Sequence, residues 1–305
     1  MNPLNKAISV ALPFVPKSII GYFSKAYIAG ERIDDAVQTV KALMAEGACA
    51  TIDVLGEEIT YEEQALHATE IYKQVLQKIN SEQLDANISL KPTHLGLKLN
   101  KNLCYKNILA LVEHAKMYSN FVRVDMEDHT TTSDTINIYR ELRKEFDNVG
   151  TVLQAYLRRT IDDVNQLIPI NPNLRICKGI YIEPYQIAYK DRDIIVNNFA
   201  YILEKFFINN CYIGIATHDE KVVWEAMRLL DKYNIKKDRY EFQMLLGVDL
   251  RMRKRILAAG HRLRVYVPFG AEWAQYSIRR LKENPHIVGH VTRHLIRNMF
   301  KKNDE

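Results

Sequence analysis

Eight short β-rich runs recur along the chain, each followed by a longer stretch of helical spacing. This alternation limits the fold more than any other feature of the sequence. The runs are Ala48–Leu55, Ala86–Lys91, Phe121–Met126, Thr151–Leu157, Leu174–Ile182, Cys211–Ala216, Tyr240–Leu246 and Leu263–Val267. Several are almost continuously apolar or β-branched, as in Tyr212-Ile-Gly-Ile-Ala216, the pattern of a parallel strand covered by helices. Between them the spacing predicts helices over Ile33–Ala45, Tyr61–Asn80, Lys101–Tyr118, Ser133–Glu145, Ile161–Leu167 and Val196–Ile208. Glu220–Tyr233, Leu250–Ala259 and Glu272–Asn284 continue the series, and His290–Lys301 closes it. Helix punctuation agrees: Thr60 with Glu63 reads as a capping box, Ser133 and Asp219 as N-caps, and Gly260 as a helix stop.

Eight such units favour an α/β fold, a distorted (β/α)8 TIM-like barrel over residues 31–305 as a single domain. Residues 1–30 are expected to form an N-terminal helical appendage, and the last predicted segment a C-terminal helix. Spacing does not show closure, so a doubly wound sheet stands as the alternative. A barrel builds its site at the C-terminal ends of its strands, which is where polar residues carry most information.

Those ends are rich in charge. Lys91 closes the second run, and the third ends in Asp125 with Glu127 and Asp128 just after it. Gln154 and Tyr156 lie in the fourth, and Arg175, Lys178 and Tyr181 in the fifth. Thr217, His218 and Asp219 follow the sixth, the seventh runs into Leu245-Leu246-Gly247, and Arg264 and Tyr266 lie in the eighth. Any one of these alone reads as a rim residue, a helix cap or half of an ion pair. Their coincidence at most of the strand ends, inside apolar runs where an unpaired charge is costly, points instead to one cationic pocket holding a carboxylate. Beyond the eighth run, Tyr276, Arg279, Arg280 and Glu283 share a helical face, and Glu283 can hold an arginine fork at carboxylate geometry.

Composition narrows the partner. The balance of 42 Lys and Arg against 37 Asp and Glu gives +5, enough for an anionic small molecule or membrane surface. It falls short of what a dedicated nucleic-acid binder shows. No Gly-rich dinucleotide or P-loop signature occurs, so a nucleotide cofactor would rest on rim cations such as Arg175 and Lys178 and on the Thr217-His218 turn. Cys49, Cys104, Cys177 and Cys211 are scattered, which predicts a reducing, cytoplasmic setting without a disulfide framework or structural zinc. No run of 18 apolar residues is present, so no spanning helix is expected. Residues 7–15 faintly resemble a secretory h-region but lack a cleavage site and hold a proline. His290–Lys301 reads either as a basic amphipathic helix on the inner face of an anionic membrane or as a helix packed on the barrel.

Eight motifs in register carry a resemblance. They are Leu90-Lys-Pro-Thr-His-Leu-Gly96, Val124-Asp-Met-Glu-Asp128, Leu153-Gln-Ala-Tyr-Leu157 and Arg175-Ile-Cys-Lys-Gly-Ile-Tyr181, then Ala216-Thr-His-Asp219 and Tyr240-Glu-Phe-Gln-Met-Leu-Leu-Gly247. Arg264-Val-Tyr-Val-Pro-Phe-Gly270 and Tyr276-Ser-Ile-Arg-Arg-Leu-Lys-Glu283 complete the set. Together, from about Ala29 to Pro285, they resemble the monofunctional proline dehydrogenases and the matching domain of bifunctional proline-utilisation proteins. The resemblance implies a flavoprotein with FAD as cofactor, L-proline as donor, 1-pyrroline-5-carboxylate as product and a quinone as acceptor, in the first step of proline catabolism to glutamate. It implies that Arg279 and Arg280, with Glu283 beside them, bind the proline carboxylate, that Lys91 adds charge, and that Leu245, Tyr266 and Tyr276 close the pocket. Met126, Gln154, Arg175, Lys178, Gly179, Ile180, Thr217 and His218 match cofactor contacts, and Asp125 and Arg175 the positions usually named catalytic.

The protein's work in such a reaction is mostly orientation and water exclusion. Arg175 could stabilise charge developing on the reduced ring, while Asp125 either holds Lys91 or an arginine in place or assists proton loss from the amine. Two positions depart from the family: Ile180 stands where a small alanine is common, and Ile182 where some bifunctional members place tryptophan. Two other readings follow from the charges alone. A Schiff-base aldolase barrel would use Lys91 or Lys178 with a lowered pKa, and a basic non-enzymatic module would bind RNA or anionic membrane.

Overall fold

A computed structural model describes residues 27–56, 59–274 and 276–278, and every structural statement below concerns those residues. All eight β-rich runs are strands, in one closed parallel barrel with the sequential order β1 to β8. They are β1 (Cys49–Val54), β2 (Ala86–Leu90), β3 (Val122–Val124), β4 (Val149–Gln154), β5 (Asn173–Cys177), β6 (Tyr212–Ala216), β7 (Tyr240–Leu245) and β8 (Leu263–Phe269). Closure is made by β8 on β1, in register from Cys49 opposite Arg264 to Val54 opposite Phe269. The doubly wound alternative is thereby excluded.

The helices are α1 (Ile33–Ala45), α2 (Glu62–Ser81), α3 (Lys101–Met117), α4 (His129–Leu142), α5 (Thr160–Leu167), α6 (Arg192–Ile208), α7 (Glu220–Lys232) and α8 (Leu250–Ala258). Each turns an apolar stripe inward, as α1 does with Ala36, Val37, Val40 and Leu43. These stripes meet the outward strand positions, Ala50, Ile52 and Val54 in β1 for example, in one continuous core. Burying each such Leu, Ile or Val contributes about 1.5–3 kcal/mol, which is what wraps the helix ring onto the sheet.

The strand ends and caps differ from the sequence expectation in instructive places. The fifth strand stops at Cys177 rather than at Ile182, because Gly179 takes a φ of +108°, closed to residues with a Cβ. α4 begins at His129, four residues before the predicted span's start at Ser133, since the Asp128 carboxylate caps it by accepting the Thr130 N–H at 2.9 Å. α6 likewise starts at Arg192, capped by Asp191, whose carboxylate takes the N–H groups of Asp193 and Ile194. The box at Thr60 is closed by Gln64 rather than Glu63: its carboxamide oxygen accepts from the N–H groups of Thr60 (2.8 Å) and Tyr61 (3.1 Å). The caps at Asp219 and Gly260 stand as expected. Residues 273–274 and 276–278 are helical, whereas the rest of Glu272–Asn284, all of His290–Lys301 and most of the N-terminal appendage lie outside the described residues.

The barrel interior departs from the branched apolar layers usual for this architecture. Inward-facing polar groups bond to one another inside the barrel: Asp125 to Arg175, Arg175 to Gln243, Gln243 to Glu241 and Glu241 to Arg264. Gly214 makes room for this line, since a Cβ there would stand 2.5 Å from the Gln243 carboxamide nitrogen. The polar axis leads from the floor of the barrel to its C-terminal mouth.

Candidate active site

Two buried ion pairs stand side by side at the mouth. At the end of β3, Asp125 accepts from Arg175 of β5 at 2.6 Å and from the Ser89 hydroxyl of β2 at 2.7 Å. Just past β2, the Lys91 ammonium donates to Asp53 of β1 at 2.6 Å, and both residues are buried. Burial works against the Lys91 charge, yet Asp53 at this distance outweighs it and holds the ammonium above its ordinary pKa. Tyr266 of β8 lies against both carboxylates: its phenol reaches Asp125 at 3.4 Å, and its ring faces the Arg175 guanidinium at 5.7 Å. Burial and the two aspartates push that phenol well up, so it stays a donor.

A second cluster flanks the first on the β4–β6 side. Lys178 is paired to Asp219 at 2.8 Å, and Arg192 shares the same carboxylate at 2.9 Å. Burial would raise the Asp219 carboxyl, but these cations bring it down to about 2. The Thr217 hydroxyl accepts the Asp219 N–H at the start of α7. His218 accepts the Leu245 N–H through Nε2 at 2.9 Å, which assigns the proton of its neutral ring to Nδ1. Gln154, almost wholly buried, donates to the Glu127 carbonyl at 2.8 Å, which turns its carboxamide oxygen to the other side. Met126 is buried next to these residues in sequence, and Gly179 packs directly on the Tyr156 ring, 2.2 Å from where a Cβ would be. Ile180 is half-exposed and Ile182 is 89% exposed, so neither bulky departure from the family pattern intrudes on the polar axis.

The structure thus brings Lys91, Asp125, Arg175 and Tyr266 together, and sets Gln154, Lys178, Gly179, Thr217 and His218 around the same mouth. Leu245 closes β7 there and is half-buried, and Tyr276 is buried with Ile28 and Leu55. Arg279, Arg280 and Glu283 lie outside the described residues.

Arg264 requires correction. It belongs to the floor, where it bonds Glu241 at 2.7 Å and the Ala50 carbonyl at 2.6 Å, lining a cavity of about 500 Å³ with Arg123, Arg262 and Asn173. One strand carries both it and Tyr266 on the inner side, but two residues of rise separate floor from mouth. Lys91, in turn, is held by Asp53 and not by Asp125, whose partner is Arg175.

Sequence reasoning missed Asp53, Ser89 and Gln243, which complete the pairs. An available signal was a carboxylate inside the apolar run Ala50-Thr-Ile-Asp-Val54, where only a buried partner makes it tolerable.

Chemically, the mouth offers fixed cations and donors beside two carboxylates already neutralised by their partners. Such a place orients an anionic small molecule in a dry setting without a net buried charge. Among the described residues no cluster of His, Cys, Asp and Glu could hold a metal, and no helix is long and apolar enough to cross a membrane.

Comparison with known proteins gives a consistent picture. The family model described as proline dehydrogenase matches residues 36–183 and 196–293. Proline dehydrogenase 1 of Bacillus subtilis (strain 168) is 37% identical over 262 residues, covering 86% of this chain and 87% of that protein. The proline dehydrogenase of Deinococcus radiodurans is 33% identical over 279 residues, covering 90% of each. Among solved structures, proline utilization A of Bdellovibrio bacteriovorus, inactivated by N-propargylglycine, superposes with a TM-score of 0.80 at 24% identity. The protein of that name from Corynebacterium freiburgense gives 0.77 at 20% identity. The chain covers 32% and 34% of those two longer chains, with 86% and 97% of its own length, and the likeness is one of fold.

Proposed function

The chain belongs to the proline dehydrogenase family, and we propose that it oxidises L-proline to 1-pyrroline-5-carboxylate on a bound FAD, with a quinone as the final acceptor. The observation that carries this reading is the pair of buried ion pairs at the mouth, Asp53–Lys91 and Asp125–Arg175, with Tyr266 between them. They supply a rigid polar wall on which a small carboxylate-bearing ring can be oriented.

The residues present fit the cofactor. An anionic dinucleotide calls for cations, bare backbone and hydroxyl or amide donors, and the β4–β6 side offers Lys178, the glycine backbone at 179, Thr217, His218 and Gln154. FAD, when bound, supplies the acceptor for the hydride leaving the substrate ring. The rest of the work falls to this chain. Arg175, fixed by Asp125 and Gln243, presents a guanidinium that cannot drift as charge builds nearby. Asp125 holds Arg175 in this arrangement, and its contribution to catalysis is to orient that guanidinium. Lys91 adds positive charge where the proline carboxylate would dock, and Tyr266, Leu245 and Tyr276 exclude water around it. Arg279 and Arg280, with Glu283, complete the carboxylate clamp in the same proposal. A cytoplasmic enzyme touching the inner membrane face through residues 290–301 would meet its quinone there.

A Schiff-base role for Lys91 finds no support, since a nucleophilic lysine needs a lowered pKa and Asp53 raises this one. Lys178 is engaged by Asp219.

The test is an absorbance spectrum of the purified protein followed by anaerobic addition of L-proline. A flavin band that bleaches is the expected result. A colourless protein after incubation with FAD, or a band indifferent to proline, overturns the reading.

A further inference from the structure

We infer that Asp53 and Tyr72 are positioning residues for Lys91, and that through it helix α2, on the outside of the barrel, sets how tightly the substrate carboxylate is held. The inference rests on the carboxylate-docking role proposed above for Lys91.

Tyr72 is the starting point, because a fully buried tyrosine on a barrel helix has no obvious need of its hydroxyl. Its ring fills core volume that phenylalanine would fill equally well. The hydroxyl nevertheless passes between the first two strands and makes three contacts: Asp53 Oδ1 at 3.0 Å, the Ser89 carbonyl at 3.0 Å and the Val54 N–H at 3.2 Å. The Val54 N–H donates to the phenol oxygen, so the phenol's single proton remains for an acceptor. Asp53 and the Ser89 carbonyl compete for it at equal distance, and the charged oxygen is the stronger acceptor. Burial and the neighbouring Asp53 push the phenol well above its ordinary pKa, so that proton is never lost in the working range.

Asp53 itself is wholly buried, and its two oxygens have different partners: Oδ1 takes Tyr72 and Oδ2 takes the Lys91 ammonium. With one oxygen pinned to a helix, the carboxylate cannot rotate away from the lysine. Lys91 has four rotatable bonds and sits one residue past the end of β2, where its own backbone does little to aim it. The carboxylate therefore does two things at once. It keeps a 5% exposed ammonium charged against burial, and it fixes where that charge sits. Asp125, Glu127, Tyr72 and His94 also feel this charge, and among the described residues Asp53 is the carboxylate that pairs with it directly.

The test uses the full chain loaded with cofactor. Asp53→Asn is expected to raise the KM for proline on the order of 10- to 100-fold, the loss of one charge-assisted bond, with a much smaller change in kcat. Tyr72→Phe, which preserves the packing, is expected to raise it roughly 3- to 10-fold. A second readout separates positioning from mere stability. Without Asp53, burial works against the Lys91 charge with its largest counterweight gone, so its pKa falls and KM climbs as pH rises. The wild type keeps its ammonium and shows no such step. In the Asp53→Asn background, Lys91→Met should remove that pH step. Variants that lose thermal stability but keep the wild-type KM and pH profile overturn the inference while proline turnover by the wild type stands. A wild type that does not turn over proline overturns the functional reading itself.

Discussion

The two ends of the barrel hold buried charge in similar amount but of different character. At the floor, the Arg123 guanidinium is spent on the carbonyls of Thr151 and Asn173 and on the Asn173 side chain, and Arg264 on Glu241 and the Ala50 carbonyl. These bonds tie strand to strand. At the mouth the same residue types bond chiefly to one another, Lys91 to Asp53 and Arg175 to Asp125, with side chains of Ser89, Gln243 and Tyr266 as supports. Floor charges lock the cylinder, and mouth charges are aimed. Depth along the axis, not residue type, separates a structural arginine from a working one.

The largest expected effect tests the floor. Glu241→Ala leaves Arg264 buried without its partner and should cost about 3–5 kcal/mol in stability, read by chemical denaturation. The proline KM should change far less than the stability, because Glu241 reaches Arg175 only through Gln243. Burial would raise the Glu241 carboxyl, but Arg264 brings it to about 2 from an ordinary 4.5. A depressed carboxyl contributes stability above the unfolded value and loses it as pH falls from there toward about 2. That acid-sensitive contribution, on the order of 3 kcal/mol, should vanish in the variant. An equal rise in KM with unchanged stability would erase the distinction between the two ends.

Arg175→Met tests the other end. A fall in kcat of about 100- to 1000-fold is expected with the flavin still bound, since a fixed donor at a site of developing charge is removed. A variant that only unfolds more readily would place Arg175 with the floor. The smallest effect falls on Gly179→Ala. Its φ of +108° and the Tyr156 ring beside it make any Cβ a strain of about 1–3 kcal/mol, expected to appear as weaker FAD retention on dilution.

How far the sequence reveals these differences depends on what each feature obeys. All eight strands were legible because hydrophobic period and β-branching are local properties, whereas closure lies in the pairing of β8 with β1, which spacing does not carry. Asp125, Arg175, Lys91 and Tyr266 were legible as polar residues near strand ends that match a family pattern. Arg264 was not placed correctly, since inward parity is identical at the floor and two residues higher. Asp53 was passed over because it looks like a defect in a buried strand until its partner is known, and that partner lies just past β2, 38 residues on. The cap at Asp128 was missed for a simpler reason: helix α4 opens on polar residues, so the apolar periodicity began a turn late.

The hydroxyl of Tyr72 has a bearing on how this barrel can be taken apart. Barrel enzymes are attractive for recombination because each strand and the helix after it look like a separable module. Here the groups that hold Lys91 come from the preceding module, Asp53 on β1 and Tyr72 on α2. A crossover placed in the short connection before Ala86 would deliver a lysine to the mouth without its inherited Asp53 counter-charge. Chimaeras of this fold should therefore treat β1, α2 and β2 as one indivisible piece, with the first permissible junction after Lys91.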